Sequence, residues 1–274
     1  MAETFLDHWR YELDVKASAF AANDGIVAAE VRPLPTPGQI RVVNSAEKAI
    51  PATFLRSGVS DLLAIVATLA EAIATRSPSM RSSFPNRPTV MELGCGLGRL
   101  LRHAPDATRA EMIATDVNVD SLGWCRANLP DVTYHLHGPL PPIESLAAGS
   151  VDIVYAHSVF THIPLERQHA WLREIERVLR PGGWLVATVL GREQQNALLN
   201  GEQRDILAAH GAIQIGPQRR PDSNEPWTYG AVCQTVAHQE ATMTAVFDIA
   251  FRRERHNRQA VLALRRRSLA PDHP

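Results

Sequence analysis

Cysteine is scarce: Cys95, Cys125 and Cys233 are the only three in 274 residues, odd in number and widely spaced. That excludes a disulfide-stapled scaffold, offers no zinc-ligand pattern and suits a reducing compartment. Long hydrophobic runs are missing as well. No uninterrupted apolar stretch approaches the roughly 20 residues needed to cross a bilayer. Acidic residues at Glu3 and Asp7, with no apolar block before a small-residue cleavage site, give no sign of a secretory leader. The expectation is a soluble, cytoplasmic protein with no membrane partner. Charge of one sign is missing too, since 28 basic residues meet 29 acidic ones for a formal −1. No general attraction to nucleic acid follows, and no nucleic-acid partner is expected. The one basic cluster, Arg265 to Arg267, reads as a solvated strand end. Internal repeats are absent, which excludes solenoids.

What is present is a chain with 45% hydrophobic residues, long enough for one large domain carrying a smaller appendage. Proline-rich breaks at 32–38, 85–88 and 139–142 divide it. Phe5, Leu6, Trp9, Leu13, Ala17 and Phe20 recur at helical spacing, and a second helix is predicted over Asp61–Thr75 behind a Ser60/Asp61 cap. Residues 1–85 thus read as a helical extension or lid and 86–274 as the main domain. From Thr89 short apolar runs alternate with helical windows. Strands are predicted at Thr89–Leu93, Glu111–Val117, Val132–His137, Val151–His157 and Gly183–Leu190, with helices beginning near Gly98, Asp120, Ile143 and Leu165. Such alternation implies a doubly wound, Rossmann-like α/β sheet. Residues 193–235 read as an insertion or loop region, helical at Glu193–His210 and irregular at Gly211–Gly230. A helix around Gln239–Phe247 and strands Asp248–Arg253 and Gln259–Arg265 then make an edge hairpin.

The chemistry is concentrated where the strand Val90–Leu93 runs into Gly94-Cys95-Gly96-Leu97-Gly98-Arg99. Residues without side chains let the backbone turn tightly and approach a ligand, and a helix start would offer unpaired N–H donors. Glu92 can accept from a ligand ammonium. A dinucleotide fingerprint is G-x-G-x-x-G, whereas this loop is G-x-G-x-G with Arg99 at the third dinucleotide position. Asp116, at the carboxyl end of the next strand, is placed to accept from two ribose hydroxyls. His135 and His137 share a strand face, but no further ligands at metal spacing accompany them and no metal is expected. His162, beyond the fourth strand, is a candidate base, with a structural loop tie the favoured reading.

Glu92 to Gly98, Asp116, Ser150-Val151-Asp152-Ile153-Val154 and Arg177-Val178-Leu179-Arg180-Pro181-Gly182-Gly183 stand in the order of the motifs of class I S-adenosylmethionine-dependent methyltransferases, which this chain resembles over about residues 89–190. The resemblance implies a seven-stranded sheet whose last strand is antiparallel, with S-adenosyl-L-methionine as cofactor. Carried over, Glu92, Gly94, Cys95, Gly96 and Gly98 would hold the methionine end, Asp116 the ribose and Val117 one adenine face. His157 would line the cofactor site. The chain departs from the family after the third strand, where His135-Leu136-His137 replaces the common Asp or Asn, so His137 or backbone would meet the adenine. Val43-Asn44 and Phe54–Gly58 are similar to the lead-in of a bacterial subgroup in which that region covers the cofactor.

Methyl transfer from a sulfonium mainly requires alignment and exclusion of water, so the sequence speaks to the donor more than to the acceptor. It lacks an Asn/Asp-Pro-Pro-aromatic tetrapeptide and a Pro-Cys nucleophile after the fourth strand, which points to a small-molecule, sugar or peptide acceptor. The rival readings are a nicotinamide-dependent oxidoreductase and a non-catalytic partner subunit that binds the same cofactor. An acceptor pocket walled by Trp227 and Tyr229 would oppose the latter. The N-terminal helices would close over the reaction end, cap the core or form a homodimer contact.

Overall fold

Apolar runs closed by glycine, proline or a capping asparagine become strands. The computed structural model describes residues 4–22, 26–43, 50–76, 84–216, 230–255 and 258–267. By contact the chain divides into two compact units, Met1–Gly138 and Pro139–Pro274. The first holds helices α1 (Phe5–Ala22), α2 (Ile26–Ala29), α3 (Pro37–Val43) and α4 (Pro51–Arg76), strands β1 (Thr89–Leu93), β2 (Glu111–Asp116) and β3 (Thr133–Leu136), and helix α5 (Val119–Asn128). The second holds β4 (Val151–Ala156), α6 (Leu165–Val178), β5 (Leu179–Val189), α7 (Arg192–Leu198), α8 (Gly201–His210), β6 (Ala212–Ile215), β7 (Ala231–Gln234), α9 (Val236–Thr244), β8 (Phe247–Arg253) and β9 (Ala260–Arg266).

Seven strands take the order β3-β2-β1-β4-β5-β9-β8, and β6 and β7 form a separate pair. β1, β2 and β3 run parallel, as do β4 and β5, whereas β9 is antiparallel to both β5 and β8. The sheet is therefore doubly wound with an antiparallel terminal hairpin. β1 and β4 are buried along their whole length, as parallel strands covered on both faces must be.

Four expectations are corrected. The second helix begins at Pro51, not Asp61; proline suits a first helical turn, where its missing N–H has no partner to lose. Asp61 lies inside that helix, 3% exposed, and Phe54–Gly58 belongs to the same helix, with Arg56 alone of the five exposed. No α-helix follows Gly98, only turns and the 3-10 turn Leu101–His103, because Pro105 holds Ala104 extended at ψ 160°. None begins at Ile143 either. Residues 212–215, within the stretch expected to be irregular, form a strand paired with residues 231–234. Residues 44–49, Trp227, Tyr229 and His256-Asn257 lie outside the described residues. By length and composition α4 could cross a membrane, and 56% of that window is buried in the fold.

Candidate functional site

In the first unit, the backbone of Gly94, Gly96 and Gly98 takes φ of +74°, +51° and +70°, a left-handed conformation that glycine adopts without steric cost. The loop is stitched to β2. Gly94 N and Cys95 N both donate to the Thr115 carbonyl at 2.8 and 3.0 Å, and Gly98 N donates to the Cys95 carbonyl at 2.9 Å. Gly96 N donates to Asp116 Oδ2 at 2.7 Å. These four N–H groups are consumed inside the protein, contrary to the expectation of open donors. A pyrophosphate needs such donors, so the loop is ill suited to a dinucleotide.

Acceptors, by contrast, are plentiful. Asp116 is 7% exposed and Glu92 2%. Asp116 Oδ1 accepts from Asn118 N at 2.8 Å, and Asn118 in turn caps α5 by accepting from Ser121 N. An ionised carboxylate offers about four lone-pair directions; Gly96 N and Asn118 N take one on each oxygen, and the Val117 N–H bears on the same carboxylate. Burial pushes the Asp116 carboxyl up, while the N–H bonds of Asn118 and Gly96 pull it down. The Cys95 thiol is pushed well up, first by its hydrogen bond with Cys125, then by burial and by the Asp116 and Glu92 charges. A buried double-carboxylate site suits a cationic, hydroxyl-bearing ligand, and the residues present fit S-adenosylmethionine.

Other predicted residues are less simply placed. Cys95 is 4% exposed, its thiol turned towards the Gly96 carbonyl at 3.7 Å. A Cβ at Gly98 would stand 2.6 Å from Leu129 Cδ1 and 3.2 Å from Cys125 Sγ, so Gly98 serves packing under α5. Val117 and His137 are half-buried. His137 N donates to the Asp116 carbonyl at 3.2 Å, its Nδ1 pairs with Gly138 O at 2.7 Å, and its charge bears on Asp116. Among the described residues no group of three or more His, Cys, Asp or Glu could hold a metal.

Arg99, which stands where a dinucleotide loop has glycine, is buried and pairs with Asp61 Oδ2 at 2.8 Å and Ser57 Oγ at 3.2 Å. Arg102 lies 5.4 Å over the Phe54 ring and donates to Pro33 O. Loop residue Leu97 packs with Phe54 and Ile40. The N-terminal helices are thus bolted to the cofactor loop. Sequence reasoning missed this because Asp61 read as a helix cap and Arg99 as the residue in the place of a third glycine, with nothing local to join them.

In the second unit β4 ends at Ala156, followed by half-buried His157 and by Ser158 at φ +62°. His162 Nδ1 pairs with Gly230 O at 2.8 Å, and Val232 N donates to Thr161 O at 2.9 Å. Both contacts tie the segment after β4 to the start of β7. Buried glutamines reinforce the tie. Gln168 Nε2 donates to the Phe160 and Ile163 carbonyls, Gln234 Nε2 to Gln168 Oε1, and Gln195 and Gln239 to the carbonyls of Leu190 and Gln234. None of this was visible in the sequence, where four scattered glutamines have no pattern.

Comparison with known proteins agrees with the geometry. Residues 91–187 match the family described as methyltransferase domain. A tRNA (carboxymethyluridine(34)-5-O)-methyltransferase of Arabidopsis thaliana is 24% identical over 135 residues, 49% of this chain but only 32% of that protein. Among solved structures, a SAM-dependent methyltransferase from Methanosarcina mazei superposes with a TM-score of 0.53 at 17% identity, covering 70% of this chain and 98% of that one. A Pyrococcus horikoshii OT3 protein does so with 0.53 at 14%, covering 81% and 98%. Residues 91–187 are thus similar to a methyltransferase domain, and the fold is the one that these solved structures share.

Proposed function

We propose that the chain transfers a methyl group from S-adenosylmethionine to a small-molecule, sugar or peptide acceptor. The observation that carries the donor is the Gly94–Gly98 loop, whose N–H groups at Gly94, Cys95, Gly96 and Gly98 are spent internally beside buried Glu92 and Asp116. Asp116 accepts from the two ribose hydroxyls, Glu92 from the ammonium, Val117 flanks the adenine, and His137 lines the site. When bound, the cofactor supplies an activated methyl; the protein aligns the acceptor and excludes water. Calorimetry with S-adenosylmethionine, S-adenosylhomocysteine and NAD tests this reading. Micromolar binding of NAD in preference to the other two would overturn it.

A tRNA acceptor is the second reading, favoured by the Arabidopsis relative. Against it stand the near-neutral charge and the C-terminal arginines, of which Arg267 pairs with Asp248 at 3.1 Å and Arg266 donates to Leu179 O. Tritiated-methyl transfer to bulk tRNA, run beside small acids, amines, phenols and peptides, separates the two. Cytoplasmic location and a homodimer belong to the same proposal; fractionation reads the first and sedimentation the second.

A further inference from the structure

We propose that Arg99 is a positioning residue for the cofactor: gripped by Ser57 and Asp61 of α4, it holds the Gly94–Gly98 loop in the conformation that binds S-adenosylmethionine, and through it the N-terminal helices govern affinity. The proposal rests on the methyltransferase reading above, and every residue in it belongs to the first unit, Met1–Gly138. The loop is fixed from two sides by different parts of the chain. On its upstream side β2 holds it, since Gly94 N and Cys95 N donate to the Thr115 carbonyl and Gly96 N donates to Asp116 Oδ2. That grip ends at Gly96. Gly98 N bonds back to the Cys95 carbonyl, and an α-helix after the last glycine would lock the downstream side through its own hydrogen-bond ladder. Here only turns and the 3-10 turn Leu101–His103 follow, so that lock falls to another element.

The element is α4, which takes hold of residue 99 by side chain and by backbone. Ser57 and Asp61 stand one turn apart on one face of that helix. They are 9% and 3% exposed, and Arg99 is 5% exposed. Arg99 Nη1 carries two protons; it donates to Asp61 Oδ2 at 2.8 Å and to Ser57 Oγ at 3.2 Å. The Ser57 hydroxyl donates its own proton to the Phe54 carbonyl at 3.2 Å, so its oxygen meets Arg99 as an acceptor. Next to Ser57, Gly58 brings the helix so near that a Cβ there would stand 2.2 Å from the Arg99 carbonyl. Leu97 adds an apolar hold, packed with Phe54 of the same helix and with Ile40.

Energetics explains why the chain keeps charges there. A buried ion pair is a poor source of stability, because well-packed apolar residues of similar volume do as well or better. What this pair adds is direction. An apolar side chain at 99 would fill the space without choosing an orientation, whereas two hydrogen bonds from one nitrogen to two points on a helix fix where residue 99 stands. With β2 holding Gly94 to Gly96 and α4 holding Arg99, the glycines between them have both ends set. A loop ordered before its ligand arrives has less freedom to lose on binding, which raises affinity without a new contact. Arg99 therefore acts on the cofactor through the loop.

The test uses the full chain with Arg99→Met, Asp61→Leu, the two combined, and Arg99→Lys. Calorimetry reads affinity for S-adenosylhomocysteine, melting temperature reads stability, and amide exchange of the ligand-free protein reads the order of the loop. Each single apolar variant leaves a buried charge without its counterpart and is expected to melt lower. The combined variant removes both charges, so it is expected to melt near the parent and yet to bind at least tenfold more weakly. Its amides at Gly94–Gly98 are expected to exchange at least tenfold faster, with those of β1 and β2 unchanged. Arg99→Lys, which keeps the charge, is expected to recover part of the affinity. Binding by the combined variant within twofold of the parent overturns the proposal. So does exchange raised equally in the loop and in β1 and β2, or a combined variant that no longer folds, since either assigns the pair to stability alone. Failure of the parent to bind S-adenosylhomocysteine defeats the methyltransferase reading and this proposal with it, whereas equal binding by parent and combined variant defeats this proposal only.

Discussion

Asp116 carries two tasks on one buried carboxylate. It anchors the loop through Gly96 N and Asn118 N, and in the proposed function it also accepts from the ribose. Asp116→Ala is expected to cost about 1.5–3 kcal/mol of cofactor binding, the scale of a hydrogen bond to a charged group. Asp116→Asn, which preserves shape, should lose part of that; calorimetry reads both. The raised carboxyl also predicts opposite pH trends for binding and stability. Affinity should fall as the pH drops through a value above the ordinary 3.8. Over that same window the folded state holds the proton more tightly than the unfolded one, so Asp116's contribution to stability becomes less unfavourable as the pH falls. Titrations of S-adenosylhomocysteine binding and of melting between pH 4 and 8 distinguish these trends. Asp116 was legible in the sequence because a strand end in a second βα unit is a position with a physical role. Ser158 was not, because a strained φ leaves no mark on the residue name.

At the scale of elements, the contact between α4 and the 3-10 turn decides two outcomes. Gly58 lies inside α4, where alanine ordinarily gains about 1 kcal/mol of helix propensity. Here its Cβ would stand 2.2 Å from the Arg99 carbonyl and 3.1 Å from the His103 ring. Steric cost wins, and Gly58→Ala should destabilise by about 1–3 kcal/mol in urea unfolding. His103 is 3% exposed, and burial, with Lys16 and three arginines nearby, holds its pKa well below 6.5. The folded state therefore resists protonation, and His103's contribution to stability is lost as the pH falls below 6.5 towards the folded value. Melting temperatures from pH 7.5 to 5 should show that decline, and His103→Phe should flatten it. The start of α4 was hidden in the sequence because Ser60 and Asp61, inside the helix, have the residue types of a helix cap. Proline in fact opens the helix, and glycine is there for the close approach.

For the whole molecule, the sequence marks residues 1–85 as a helical extension or lid. The N-terminal helices share a compact unit with β1, β2 and β3, and their Asp61 neutralises Arg99, each side chain under a tenth exposed. Removing one partner of a buried pair costs about 3–5 kcal/mol. A chain beginning at Phe84 is therefore expected to lose cooperative unfolding and to recover none on adding S-adenosylhomocysteine. A sharp, ligand-shifted melting transition in that fragment would contradict this. The sequence by itself determined the order of strands from β1 to β5, the helices α5 and α6, the terminal hairpin and the glycine loop with Asp116. Those features follow from local periodicity, turn chemistry and the steric freedom of glycine, all of which act over a few residues. Only the tertiary structure decided that the loop's N–H groups are spent, that Arg99 meets Asp61 from 38 residues away, and that Gln259 reaches Ser158 across 101. Hydrogen bonds and ion pairs between distant segments depend on where the chain brings polar atoms together, and no local pattern of residues encodes that meeting.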